Sequence, residues 1–110
     1  MALIDKSLGN IFDSIPDASD EEVVDLIAQN ENTTIERIIS RGQTSPATGW
    51  YDQQKDEWVL VLTGKAIISF ENGMEVNLKA GDHLNISAHT KHKVKWTDPC
   101  VETVWLAVHY

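Results

Sequence analysis

At 110 residues the chain is long enough for one compact core and too short for two. Its net charge of −8 excludes the basic surplus that a nucleic-acid binder needs to neutralise phosphates, and no apolar run approaches the length of a membrane span. The single cysteine, Cys100, excludes an internal disulfide and a cysteine-pair zinc site. With no signal-like N-terminal run, a reducing cytoplasm is the expected compartment.

The acidity is uneven. Residues 1–36 carry nine acids and one base, whereas the remainder carries eight of each. Two units are therefore expected: an acidic N-terminal segment over 1–32 and a neutral barrel over 33–110. In the first, Ser19-Asp20-Glu21-Glu22 has the form of a capping box. Val23, Val24, Leu26 and Ile27 then supply one apolar face, which predicts a short α-helix over about 19–29 that needs a partner surface to be stable.

From Thr33 onward the pattern is β. Thr33–Arg41 predicts the first strand, and Arg41–Gly49, with Gly42, Pro46 and Gly49, a loop. Trp50–Gln53, Glu57–Thr63 and Lys65–Glu71 follow as strands. Asn72-Gly73 is a strong hairpin signal, expected as a type I′ turn. Met74–Lys79 alternates strictly and places Met74, Val76 and Leu78 toward a core. Gly81-Asp82 turns the chain into His83–Ile86, and His92–Trp96 and Val101–Tyr110 complete the series. About eight short strands at this spacing predict a sandwich or barrel.

Glu57–Leu62 is apolar on both faces, so both must be covered. One cover is the barrel interior; the other is the N-terminal helix or a second subunit, and a homodimer is expected. In Lys91–Trp96 the lysines alternate with His92, Val94 and Trp96, which directs those three inward. Glu57 shares a face with Val59 and Val61, and Tyr51 shares one with Gln53. An inward Glu, Gln, Tyr and His in a small apolar barrel predict a ligand pocket, with Trp96 as a stacking wall for the substrate. By alternation with Leu84 and Ile86, His83 points outward. His109 is expected to be structural or at an interface.

The spacing of these residues resembles the two motifs of the cupin superfamily, over about residues 33–109. Glu57 and Gly64 hold the positions of the first motif's glutamate and closing glycine, with Tyr51 and Gln53 where its two histidines belong. Gly81 and His92 match the glycine and histidine of the second motif, while Ser87, His89 and Trp96 replace its proline, second glycine and terminal asparagine. The resemblance implies an all-β, cupin-like jelly-roll barrel, here with a short N-terminal α-helix. It also implies a divalent metal ion (iron, manganese, nickel or zinc), held by Gln53, Glu57 and His92. Tyr51 or His89 would then move the proton in catalysis, and His89 could serve as a further imidazole ligand.

A metal-free alternative stands beside it, in which Glu57 and His92 form a hydrogen-bonded pair completed by Gln53. The functional expectation is a single-domain cupin with a small-molecule pocket. It is an isomerase-, lyase- or oxygenase-type enzyme, a metal-free binding or sensing module, or a scaffold that docks a partner through its acidic segment.

Overall fold

The computed structural model describes residues 8–110; residues 1–7 of the expected acidic segment lie outside them. Eight strands follow in order: β1 (Val23–Gln29), β2 (Thr34–Ser40), β3 (Glu57–Thr63), β4 (Lys65–Phe70), β5 (Glu75–Lys79), β6 (His83–Ile86), β7 (His92–Thr97) and β8 (Thr103–His109). They form a five-stranded sheet in the order β1-β2-β8-β3-β6 and a three-stranded sheet in the order β5-β4-β7. All pairings are antiparallel. Among the described residues no helix is long and apolar enough to cross a membrane.

The predicted helix over 19–29 is a strand instead. β1 pairs along β2 from Val23 opposite Ile39 to Gln29 opposite Thr34, with a bulge between Leu26 and Ala28. Val23 and Val24 are β-branched and lose rotamer freedom in a helix, while β2 offers a complete ladder of backbone partners. The capping residues are used otherwise. The Ser19 N–H donates to Asp17 Oδ1 at 2.9 Å, and Glu22 faces the Ser40 hydroxyl at 3.5 Å.

Register decides which residues meet inside. Val61 lies opposite Trp105, Val59 opposite Ala107 and Glu57 opposite His109, while Ile38 lies opposite Trp105 and Glu36 opposite Ala107. These inner faces pack on Ala66, Ile68 and Leu78 of the smaller sheet to form the core. The outer face of the larger sheet carries a second cluster of Ala18, Ile39 and Val104, joined by Ile15, Val23 and Leu62. The second cover that the apolar Glu57–Leu62 strand requires is thus supplied at Leu62 by the irregular N-terminal segment. β1 ends the sheet, and its Val24, Leu26 and Ile27 stay about half exposed.

Two turns differ from expectation. At Asn72-Gly73 only Gly73 takes a positive φ, 93°. The Gly73 N–H donates to Phe70 O and the Phe70 N–H to Met74 O, so the hairpin closes with a three-residue loop and a glycine bulge. Met74, expected inward, is 60% exposed at that turn. Trp50–Gln53 is not a strand: Tyr51 makes a single bridge to His92.

Candidate functional site

Between the two sheets lies a cavity of about 260 Å³, with Val59, Ile68, Ile86 and Trp105 among its apolar lining. Its polar wall is built by strand ends. Glu57 opens β3, His92 opens β7 and His109 closes β8; Tyr51 and Gln53 come from the loop before β3. Glu22, Glu36 and Ser45 complete the polar lining.

His92 is 4% exposed. Its Nδ1 lies 2.7 Å from the Thr90 carbonyl oxygen, which can only accept, so Nδ1 carries a proton. Its Nε2 lies 3.4 Å from Glu57 Oε1. A lone pair facing a carboxylate at that distance is repelled, whereas a second ring proton is attracted. Burial by itself would lower the imidazole pKa, but the Glu57 carboxylate and the Thr90 carbonyl together outweigh it and hold it above 6.5. Tyr51 and Phe70 flank the ring, with centroids 5.6 and 6.3 Å away. Glu57's other oxygen lies 3.8 Å from His109 Nε2, and that nitrogen lies 3.2 Å from Glu36 Oε1. Glu36, His109, Glu57 and His92 thus form a continuous row of alternating carboxylates and imidazoles.

Of the residues singled out from sequence, the cavity brings together Tyr51, Gln53, Glu57 and His92. His89 and Trp96 stand elsewhere. His89 adopts φ 61°, bonds Asp52 Oδ1 at 2.8 Å and keeps a side chain 64% exposed. Trp96 is turned away by a bulge. Ile67 pairs with Trp96 but Ile68 with Val94, so Lys95 is an extra residue and the alternation reverses after it. The indole, 39% exposed, lies on the outer surface against Ile67, Asn77 and Lys79. His83, expected outward, is exposed and accepts from Trp58 Nε1 at 3.3 Å.

Glu36 and His109 escaped the sequence reading. The signal for His109 was present, since Trp105, Ala107 and His109 alternate onto one face. Thr34–Ser40 has isoleucines on both faces, which hides the inward Glu36. Glu22 was assigned to a helix and carried no signal.

Glu22 is a strained carboxylate. Burial pushes its pKa up, the Ser40 hydroxyl opposes that, and the charge of Glu36 adds to it. Glu22 and His92 each hold a proton more tightly in the folded chain than in the unfolded one. The stability they contribute is complete below their unfolded values, 4.5 and 6.5, and is lost as pH rises through the folded ones. Through His92 the chain is therefore expected to melt at a higher temperature near pH 6 than near pH 8. Glu22→Gln should raise the pH 8 melting point by a few degrees, because burial disfavours the charge it removes. Thermal unfolding at the two pH values measures this; a Gln variant less stable at the higher pH would contradict it.

A resident metal does not fit this donor set. One imidazole, His92, stands at the cupin ligand positions, with Tyr51 and Gln53 in place of two others, and Glu57's oxygens already face two imidazoles. Among the described residues no three His, Cys, Asp or Glu side chains converge with metal-binding geometry.

Two antiparallel sheets packed over a largely apolar cavity with a polar wall define a jelly-roll β-sandwich. Over 93% of its length the chain is similar to the crystal structure of a protein from Ralstonia eutropha JMP134, provisionally assigned as a mannose-6-phosphate isomerase. The identity is 43%, the TM-score 0.87, and 95% of that protein is covered. A cupin superfamily protein from Desulfitobacterium hafniense DCB-2 aligns at 20% identity and TM-score 0.72, over 86% of this chain and 82% of that one. A cupin-2 domain protein from Shewanella frigidimarina NCIMB 400 aligns at 17% and 0.71, over 96% of each chain. The last two are likenesses of fold. The chain is a relative of the Ralstonia protein and has the cupin fold. No family model and no curated protein matches it.

Proposed function

We propose that the cavity binds a small polar metabolite and moves protons on it without a resident metal, using Glu57 and His92 as an acid–base pair. The observation that carries this reading is the 3.4 Å approach of His92 Nε2 to Glu57 Oε1 inside a lined cavity. An imidazole facing a carboxylate, with its pKa held above the ordinary value, is a working acid beside a working base near neutral pH. The name given to the Ralstonia relative supports proton-transfer chemistry, because aldose–ketose interconversion consists of it.

In such a step the Glu57 carboxylate takes the proton from the carbon beside the carbonyl, and protonated His92 gives its Nε2 proton to the carbonyl oxygen. The enediol so formed returns a hydroxyl proton to the imidazole and receives Glu57's proton at the neighbouring carbon. Tyr51 flanks the imidazole at a tilt and, with Gln53, offers hydrogen bonds to substrate hydroxyls. Behind Glu57, His109 faces its second oxygen at 3.8 Å and bonds Glu36 at 3.2 Å.

The test is deuterium exchange. Short aldoses, ketoses and their amino derivatives are incubated with the protein in deuterated buffer and followed by proton NMR. Loss of the signal beside the carbonyl is expected with chelator present, and Glu57→Gln should slow it at least about 100-fold. Exchange lost on chelation and restored by added metal would overturn the metal-free step. Ligand binding with no exchange at all would instead leave a binding module.

A further inference from the structure

We propose that the ligand of this cavity is a small organic cation bearing hydroxyl or carbonyl oxygens, an amino sugar or amino alcohol, and not a phosphate ester. This rests on the pocket reading above and names the chemical class that the pocket accepts. Three carboxylates line the cavity, those of Glu22, Glu36 and Glu57, together with two imidazoles and no lysine or arginine. One negative charge remains in excess when both imidazoles are protonated, and three when neither is.

Among the described residues no nearby cation is free to turn inward. Arg37 follows Glu36 but faces the opposite side of the sheet, where it grips Asp25 Oδ2 at 2.6 Å and the Asp13 carbonyl at 2.7 Å. Lys93 lies 4.4 Å over the Trp50 ring. Lys91 and Lys95 pair with Glu71 and Glu75. A phosphate dianion brought among these groups meets net repulsion, because the carboxylates outnumber the imidazoles. A protonated amine meets the partner that the wall lacks, and Glu22, half-buried and disfavoured as a charge by burial and by Glu36, feels that lack most.

An independent observation concerns the other end of the ligand. Trp105 is 3% exposed and lines the same cavity from the inner face of β8. Its indole N–H is buried and has no hydrogen-bond partner among the described residues. An unpaired buried donor costs free energy that an acceptor would recover. In register, Glu36 lies beside Ala107, two residues along β8 from Trp105, or about 7 Å at the rise of a strand. An amine at the glutamates and an oxygen toward the indole is a pairing that a single amino sugar spans.

Calorimetric titration with mannosamine, mannose and mannose 6-phosphate separates the charge classes on one carbon skeleton. At a pH of about 6.5, where the amine is protonated, mannosamine should bind about tenfold more tightly than mannose, and mannose 6-phosphate more weakly than mannose. Glu36→Gln should erase most of the amine preference, bringing the affinity ratio of mannosamine to mannose from about ten toward one, with Glu22→Gln as the second variant should the first fail to fold. Trp105→Phe should weaken mannosamine and mannose alike. Mannosamine binding no more tightly than mannose, or mannose 6-phosphate binding most tightly, overturns the charge assignment while the pocket reading stands. Binding of none of the three overturns the assignment too, and the deuterium exchange then decides the pocket reading by itself.

Discussion

Gly64→Ala is expected to destabilise the chain by about 3–4 kcal/mol, combining the left-handed backbone cost of an L residue with overpacking of a closed core. Gly64 is the one residue between β3 and β4, where the chain leaves the larger sheet for the smaller. Its φ is +87°, and a Cβ there would lie 2.6 Å from Thr103 Cα and 2.8 Å from Thr103 Cβ, and closer still to the Thr103 hydroxyl. Thr103 cannot give way. It is fully buried, and its hydroxyl takes the Lys65 N–H at 3.2 Å and donates to the Lys65 carbonyl at 3.1 Å.

Gly73→Ala is the control. Its φ of +93° is similar, but nothing lies within 4 Å of an added Cβ, so only the conformational term of about 1 kcal/mol applies. Urea unfolding of the two variants compares them. Equal losses would show that contact with Thr103 contributes nothing, against a total stability that for such domains is about 5–15 kcal/mol.

The second large effect lies on the opposite face of the larger sheet. Arg37→Met should cost about 3 kcal/mol, the low end for a broken buried ion pair because Asp25 keeps partial solvent access. The guanidinium holds Asp25 Oδ2 through two nitrogens, at 2.6 and 3.1 Å, and the carbonyls of Ile11, Asp13 and Ser14. It therefore ties the N-terminal segment to β1 and β2. Its loss frees that segment, with its Ile15 and Ala18, from Ile39 and Val104, so cleavage by a protease within 8–18 should accelerate while the far-ultraviolet spectrum stays β. Unchanged proteolysis would mean that the apolar contacts alone hold the segment. Because Arg37 and Glu36 point to opposite sides of β2, ligand binding should change little.

How far these residues were legible depends on whether one strand or its neighbour decides the conformation. β3 is written in its own alternation, and its bounds and its inward Glu57 follow from sequence. His92 is legible for the same reason. β1 is not, because Val23-Val24-Asp25-Leu26-Ile27 suits a helical stripe as well as a bulged strand, and the choice is made by β2 lying alongside. Trp96 is the sharper case. Lys91–Trp96 alternates without a fault, yet the ladder with β4 absorbs Lys95 as an extra residue and sends the indole outward. A bulge belongs to a pair of strands, so neither strand announces it. The row that joins Glu36 to His92 draws on three strands of one sheet and the first residue of a strand in the other, and only register assembles it.

The place of β8 sets the order of events during synthesis. It is the middle strand of its sheet, between β2 and β3, yet it is translated after the other seven strands. Until it emerges, β2 and β3 have no common neighbour, and the sheet is two separate fragments, β1 with β2 and β3 with β6. The contacts that join β2 to β8 span about seventy residues, from Thr34 opposite His109 to Ser40 opposite Thr103, and such non-local pairing is slow to find. Before β8 docks, β2 and β3 expose open edges and apolar faces of the kind that chaperones shield. His109 arrives last of the lining residues, so the wall of the cavity is incomplete until β8 docks.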